Sequence, residues 1–263
     1  MKPLVAIALF AALTAAHATE NGAGRAMLPD SGVYEGEFKD GLFHGRGKLA
    51  WRNRDLYEGE FDRGLMHGNG KFSFASGHAY EGSYADGAAN GYGVFTYKDG
   101  DRYEGYFASG EYEGRGAYYA RNGDFYSGEF SRGLYHGEGI FVGSNGEKYE
   151  GEFVQGLYHG KGVITYPDGT RTIGEFRGGR INGRGTTLFK DGASYIGQFK
   201  EGYWHGTGIF IFANGDEYEG EFKGGAFHGK GKLVERESGD ALEGEWREGQ
   251  FIDDQYAATS AET

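Results

Sequence analysis

From Tyr34 onward the chain alternates ring or glycine with acid: Tyr34-Glu35-Gly36-Glu37-Phe38 puts Tyr, Gly and Phe on one side of an extended backbone and both glutamates on the other. That period of two predicts a half-buried β-strand. A short segment containing Gly41 follows, and then a second alternating stretch begins with Gly45 and Gly47. In other copies the apolar positions of that stretch are Phe72 and Phe74, or Phe210 and Phe212. The stretch runs into turn dipeptides such as Asp99-Gly100, Asn122-Gly123 and Asn214-Gly215, which favour tight reversals. The predicted element is therefore a hairpin. A glycine every few residues would cost a helix about 1 kcal/mol each, so no helix is expected.

The hairpin recurs. Units begin at Tyr34, Tyr57, Tyr80, Tyr103, Tyr126, Tyr149, Thr172, Tyr195, Tyr218 and Leu242. The first nine starts are 23 residues apart and the last gap is 24, with the extra residue near Ser238-Gly239. Numbering positions within a unit, glycine recurs at 3, 8, 12 and 14, and position 5 is always aromatic. The simplest register pairs position 1 with 16, 3 with 14 and 5 with 12, laying the position-5 ring over the position-12 glycine. It sets Glu37 against Arg46, Glu152 against Lys161, Glu175 against Arg184 and Glu221 against Lys230, and such cross-strand pairs contribute roughly 0.2–1 kcal/mol each. One hairpin cannot bury its aromatic face alone, so stacking of successive units must supply the core.

Tyr-Glu-Gly-Glu-Phe, then glycine, then His-Gly-x-Gly, resembles the MORN repeat (membrane occupation and recognition nexus), in ten in-phase copies from 34 to 252. The resemblance implies an all-β, elongated antiparallel β-meander solenoid. It also implies a role as scaffold, dimerisation platform or membrane-tethering module, as in junctophilins and plant phosphoinositide kinases. Where such repeats accompany catalysis, as beside a SET domain, a separate domain performs it. Between 34 and 252 the repeats leave no room for one, so the expectation is not an enzyme and no cofactor. Thr172-Ile173 and Leu242-Glu243 lack the opening tyrosine, and Asn90, Glu113 and Asn182 replace the usual position-11 histidine. These departures suggest locally weaker hairpins.

Composition sharpens this picture. The 263 residues include 52 glycines, 3 prolines, no cysteine and 43 rings from 20 Phe, 20 Tyr and 3 Trp. Scarce proline excludes collagen, and the missing cysteines exclude a disulfide scaffold and a thiolate metal site. A formal net charge of −12 argues against nucleic acid as a partner. The first 18 residues stand apart: Lys2, an uncharged apolar run from Leu4 to Ala16, then Ala16-His17-Ala18 before Thr19. This is the layout of a signal peptide cleaved between Ala18 and Thr19, hence a secreted or periplasmic protein. Residues 19–33 read as a flexible lead-in, with Pro29-Asp30-Ser31-Gly32 echoing an end-of-unit turn that caps the first hairpin. Residues 34–252 are nine full units of 23–24 residues and a partial tenth, and 253–263 read as a disordered tail.

Candidate chemistry is sparse. Six histidines, among them His44, His136 and His228, occupy position 11 one per unit, too far apart to share a metal ion. Paired glutamates recur as a ladder rather than as one catalytic pair. The row of large position-10 residues is the remaining candidate: Phe43, Tyr112, Tyr135, Tyr158, Trp204 and Phe227, with Tyr203 beside Trp204. It reads either as an extension of the core or as an aromatic groove for a ligand. Two functions follow: a scaffold binding an unidentified protein partner or itself, for instance as a dimer, or an envelope-binding module recognising membrane lipid or cell-wall glycan through that row.

Overall fold

A computed structural model describes residues 20–252. The proposed signal segment, its cleavage point at Ala18 and Thr19, and the tail from 253 lie outside the described residues. Among the described residues there are 21 strands and no helix, and the pairings from β1 through β10 and from β12 through β21 are antiparallel between chain neighbours. The fold is an all-β antiparallel meander of repeated hairpins. The chain divides into two compact units between Gly137 and Glu138.

The first unit contains β1 (Gly22–Met27), β2 (Val33–Lys39), β3 (Leu42–Ala50), β4 (Leu56–Asp62), β5 (Leu65–Ser73), β6 (Ala79–Ala85), β7 (Ala88–Thr96), β8 (Arg102–Ala108), β9 (Glu111–Tyr119) and β10 (Phe125–Ser131). The division falls inside β11 (Leu134–Val142). The second unit contains β12 (Lys148–Val154), β13 (Leu157–Thr165), β14 (Arg171–Arg177), β15 (Arg180–Leu188), β16 (Ser194–Lys200), β17 (Tyr203–Ile211), β18 (Glu217–Lys223), β19 (Ala226–Val234), β20 (Ala241–Arg247) and β21 (Gln250–Ile252).

Each repeat folds as two strands joined by a two-residue reversal at positions 7 and 8. Both residues take positive φ, 52° at Asp40 and 74° at Gly41. That is the type I′ geometry, whose twist matches the flanking strands. The outward N–H of Gly64 donates to the Phe43 carbonyl of the preceding repeat, and Gly179 does the same to Tyr158. These bonds tie each reversal to its neighbour. The longer reversals at the repeat ends carry one left-handed glycine, such as Gly100 (φ 100°) or Gly123 (φ 95°).

The pairing inside a repeat departs from the simple register. Tyr34 faces Leu49 and Gly36 faces Gly47 as expected, but Glu37 then faces His44 and Phe38 faces Phe43. Gly45 and Arg46 form a bulge on β3, and the strand needs left-handed backbone there, φ 59° at Gly45. The expected pairs of position 12 with 5 and 13 with 4 instead form with the next repeat: Gly45 faces Phe61 and Arg46 faces Glu60. Likewise Glu152 faces His159 and Glu221 faces His228, while Glu175 faces Lys161 of the repeat before it. The position-4 glutamate has another task. Its carboxylate accepts the backbone N–H freed by the bulge: Glu37 from Arg46 at 3.0 Å, Glu152 from Lys161 at 3.2 Å and Glu221 from Lys230 at 3.1 Å.

The ring that covers glycine is the position-1 tyrosine. A Cβ on Gly162 would stand 2.4 Å from the Tyr149 hydroxyl oxygen and 2.6 Å from its ring, and Gly47 meets Tyr34 in the same way. Tyr34, Tyr57, Tyr80, Tyr103, Tyr126, Tyr149, Tyr195 and Tyr218 are fully buried. The Tyr149 hydroxyl donates to the carbonyls of Glu152 (3.0 Å) and His159 (3.1 Å), across the bulge. Burial pushes Tyr34, Tyr149, Tyr195 and Tyr218 up to about 12. Edge-on position-5 rings complete the core, with Tyr34 5.1 Å from both Phe38 and Phe61.

Residues 22–27, read from sequence as lead-in, form β1 and pair with β2 from Gly22–Phe38 to Met27–Val33. Gly22, Gly24 and Arg25 thus take unit positions 12, 14 and 15. Pro29-Asp30-Ser31-Gly32 lies in the reversal that follows, closed by a bond from the Leu28 N–H to the Gly32 carbonyl.

Candidate functional site

The position-10 residues lie on the tyrosine side of the sheet. Each candidate ring stacks on the tyrosine of its own repeat: Phe43 on Tyr34 at 3.8 Å, Tyr112 on Tyr103 at 3.6 Å and Tyr135 on Tyr126 at 3.7 Å. Tyr158 stacks on Tyr149 at 3.8 Å, Trp204 on Tyr195 at 4.6 Å and Phe227 on Tyr218 at 3.8 Å. Phe43 and Tyr112 are buried, whereas Tyr135, Tyr158, Trp204 and Phe227 are half-buried. Tyr203 is exposed and sits opposite Lys200 at the reversal. The row therefore has one face of each ring committed to core packing, and in the first unit Phe43 and Tyr112 are closed to a ligand.

Exposed rings gather on the opposite, glutamate side of the first unit. Tyr92 on β7 faces Tyr106 on β8, ring centroids 5.7 Å apart and edge to face. Tyr119 on β9 faces Arg102 on β8, and its ring lies 5.1 Å from Phe125 on β10. Tyr92, Tyr106 and Tyr119 are 49%, 53% and 42% exposed. Strand alternation explains the grouping: positions 2, 4, 13, 17 and 23 point to this side, and here four of the side chains that reach it are aromatic.

Glu104 joins the rings. It accepts from the Tyr92 hydroxyl at 2.6 Å and is paired with the Arg102 guanidinium. Those two contacts hold its carboxyl below the usual range, the tyrosine bond first, and the same bond raises the Tyr92 hydroxyl. The Arg102 guanidinium stands 5.4 Å over the Tyr119 ring. The result is a surface of flat apolar faces, fixed by a Tyr–Glu–Arg network and presenting hydroxyls and one guanidinium. Among the described residues, no group of three or more His, Asp or Glu side chains is placed to hold a metal ion.

Sequence reasoning passed over these residues because it followed what recurs. Their signal was the departure: Tyr106 where the repeat places Glu, Tyr92 where Arg, Asn or Lys is usual. A second departure marks the same side of the second unit. Val163, Ile173, Thr186, Ile196 and Ile209 are successive cross-strand neighbours. They stand where Lys48–Glu58 and Lys71–Glu81 form ion pairs in the first unit.

Fold and surface together define a repeat protein with a self-packed aromatic core. The MORN repeat family matches residues 34–56, 57–79, 80–102, 103–125, 126–148, 149–171, 173–194, 195–217 and 218–234, and the chain belongs to that family. No curated protein matches. Among solved structures, the chain is similar to the wild-type TCP10 domain of Danio rerio CPAP in complex with a peptide of Danio rerio STIL. That similarity is 12% identity over 88% of this chain and 98% of that one, with a TM-score of 0.43. The same wild-type domain alone gives 14% identity over 75% and 94%, with a TM-score of 0.43. Virginiamycin B lyase from Staphylococcus aureus gives 10% identity over 87% and 86%, with a TM-score of 0.16.

Proposed function

We infer that this protein is an exported, non-enzymatic scaffold that binds a protein partner through the outward side of its sheet. The observation that carries the reading is the Tyr92–Tyr106–Tyr119–Phe125 surface with its Arg102–Glu104 pair. Tyrosine and arginine are among the side chains most enriched where proteins recognise one another. The core gains little from these rings, since they lie across the sheet from the packed tyrosines. Export is supported by the composition of residues 1–18, and the first compartment to examine is a periplasm or the medium.

The test is a photo-cross-linking amino acid at Tyr106, in cells that express the protein at its natural level. A discrete protein adduct that disappears in the Tyr92→Ala/Tyr119→Ala background, with unchanged thermal melting, is the expected outcome. Patch-dependent binding to anionic liposomes or wall polysaccharide, with no protein adduct, would overturn it in favour of the envelope-ligand alternative.

A further inference from the structure

The two ends of the described chain are complementary halves of one repeat. At the C-terminal end, β20 supplies positions 0–6 of the tenth repeat, and β21 supplies only positions 9–11. Their pairing covers Glu245–Ile252, Trp246–Phe251 and Arg247–Gln250. The outer edge of Ala241–Gly244 has no strand against it among the described residues, and Leu242, in the place of a buried tyrosine, is 50% exposed. The chain's own continuation is Asp253-Asp254-Gln255. It lacks both glycines that the bulge and the close strand approach require at positions 12 and 14.

At the N-terminal end, β1 supplies the missing part. Gly22, Gly24, Arg25, Ala26 and Met27 hold positions 12, 14, 15, 16 and 17, and Gly22 has the positive φ of the bulge, 96°. Among the described residues β1 is paired along one edge only, to β2. Its other edge is the one that every later second strand presents to the first strand of its own repeat.

We propose that β1 of one copy adds to the free edge of β20 in a second copy, completing the tenth repeat head to tail. The register is set by the repeats within the chain. Gly36 faces Gly47 and Val33 faces Ala50, so Gly244 meets Gly24 and Ala241 meets Met27 of the other copy. This deepens the scaffold reading, on which it rests, by naming a second copy as one partner.

Charge supports the match. Across the glutamate side, Lys232 pairs with Glu243 at 3.7 Å, and Arg25 pairs with Glu35 at 3.1 Å. Joining the ends places Arg25 between Glu35 and Glu243, so the alternation runs Lys232, Glu243, Arg25, Glu35, Lys48, Glu58 without a like-charge neighbour. The one overlap resolves itself. Glu20 and Asn21 occupy positions 10 and 11, already held in the second copy by Phe251 and Ile252. Glu20 holds its place by accepting the Gly41 N–H at 2.9 Å. In the joined pair that N–H passes to the Phe251 carbonyl, as the Gly64 N–H meets Phe43. The aromatic Phe251, 5.3 Å from Trp246, keeps the core position that Glu20 cannot fill. Such heterologous contacts generate rings or open chains of copies.

The protein has no cysteine, which makes the register directly testable. Met27 and Ala241 are both exposed, so cysteine at either leaves the core intact. Purified protein with its natural N-terminus is oxidised as Met27→Cys alone, Ala241→Cys alone, the two mixed, the double variant Met27→Cys/Ala241→Cys, and Met27→Cys mixed with Leu242→Cys, whose side chain points to the opposite side. Disulfide-linked dimers in the first mixture only, and a ladder from the double variant, are expected, together with concentration-dependent sedimentation of the unsubstituted chain. Absence of the mixed dimer, or equal linking with Leu242→Cys, overturns the proposal, even where sedimentation shows association by another route. A partner adduct at Tyr106 without any ladder removes this contact alone, and a ladder without an adduct removes the partner-binding surface alone.

Discussion

The position-1 tyrosine is the residue on which each repeat turns. In one side chain it covers the glycines at 3 and 14, stacks on position 10, and donates to carbonyls across the bulge. Tyr149→Phe keeps the ring and removes only the donor, so a loss of about 0.5–1.5 kcal/mol is expected in denaturant unfolding. Gly162→Ala keeps the donor and drives a methyl into the ring, with an expected loss of about 1–3 kcal/mol. If the phenylalanine variant proved as costly as the alanine one, the hydroxyl rather than the close approach would be the main constraint. The same residues set the alkaline limit. Tyr34, Tyr149, Tyr195 and Tyr218 are raised to about 12, against about 10 for tyrosine in an unfolded chain. Their contribution is complete below pH about 10 and is lost as pH rises through about 12, because only the unfolded chain releases these protons between the two values. Tyrosinate absorbance and circular dichroism should therefore change together in that interval.

At the scale of the hairpin, the two-residue reversal and the bulge decide how strands meet. Arg63, Gln155 and Glu201 sit at positive φ, 48°, 51° and 51°, where L-residues pay roughly 1–2 kcal/mol. Gln155→Asn, a substitution suited to type I′ turns, should raise stability by about 0.5–1 kcal/mol in thermal melts, and no gain would mean the strain is already relieved locally. The bulge is capped by the position-4 carboxylate, so Glu152→Ala should cost about 1 kcal/mol by leaving the Lys161 N–H without its acceptor. From sequence alone the same residues suggest a simple charge pair between Glu152 and Lys161. A two-residue bulge leaves no mark in an alternation of polar and apolar positions beyond a glycine, and here glycine recurs for several unrelated reasons.

For the molecule as a whole, stability in an array of repeats is a sum of local terms, and it is lowest where a repeat is incomplete. Amides of Ala241–Gly244 should exchange fastest among the strand residues of the second unit at low concentration, and should become protected as copies associate. Exchange that is uniform across β18–β20 at every concentration would contradict both statements. The exposed ring cluster belongs to this scale too, since Tyr92, Tyr106, Tyr119 and Phe125 come from two successive repeats and four strands, and become neighbours only by strand pairing.

The alternation of ring and acid, the 23-residue period and the positions of glycine were enough to specify strand, hairpin and family, because those depend on side-chain facing and backbone freedom that neighbouring residues impose. The pairing of positions 1, 2 and 3 also followed from the pattern. What the tertiary structure decided was the shift at positions 4 and 5, the use of each glycine, and which rings are free. The position-10 row, prominent in sequence, commits one face of each ring to a tyrosine. Tyr92 and Tyr106 stand where the repeat usually carries charged or amide side chains, and the alternation alone does not show that they meet. Whether a ring is covered depends on the strand beside it, and that neighbour is set by a bulge register that the alternating pattern leaves open.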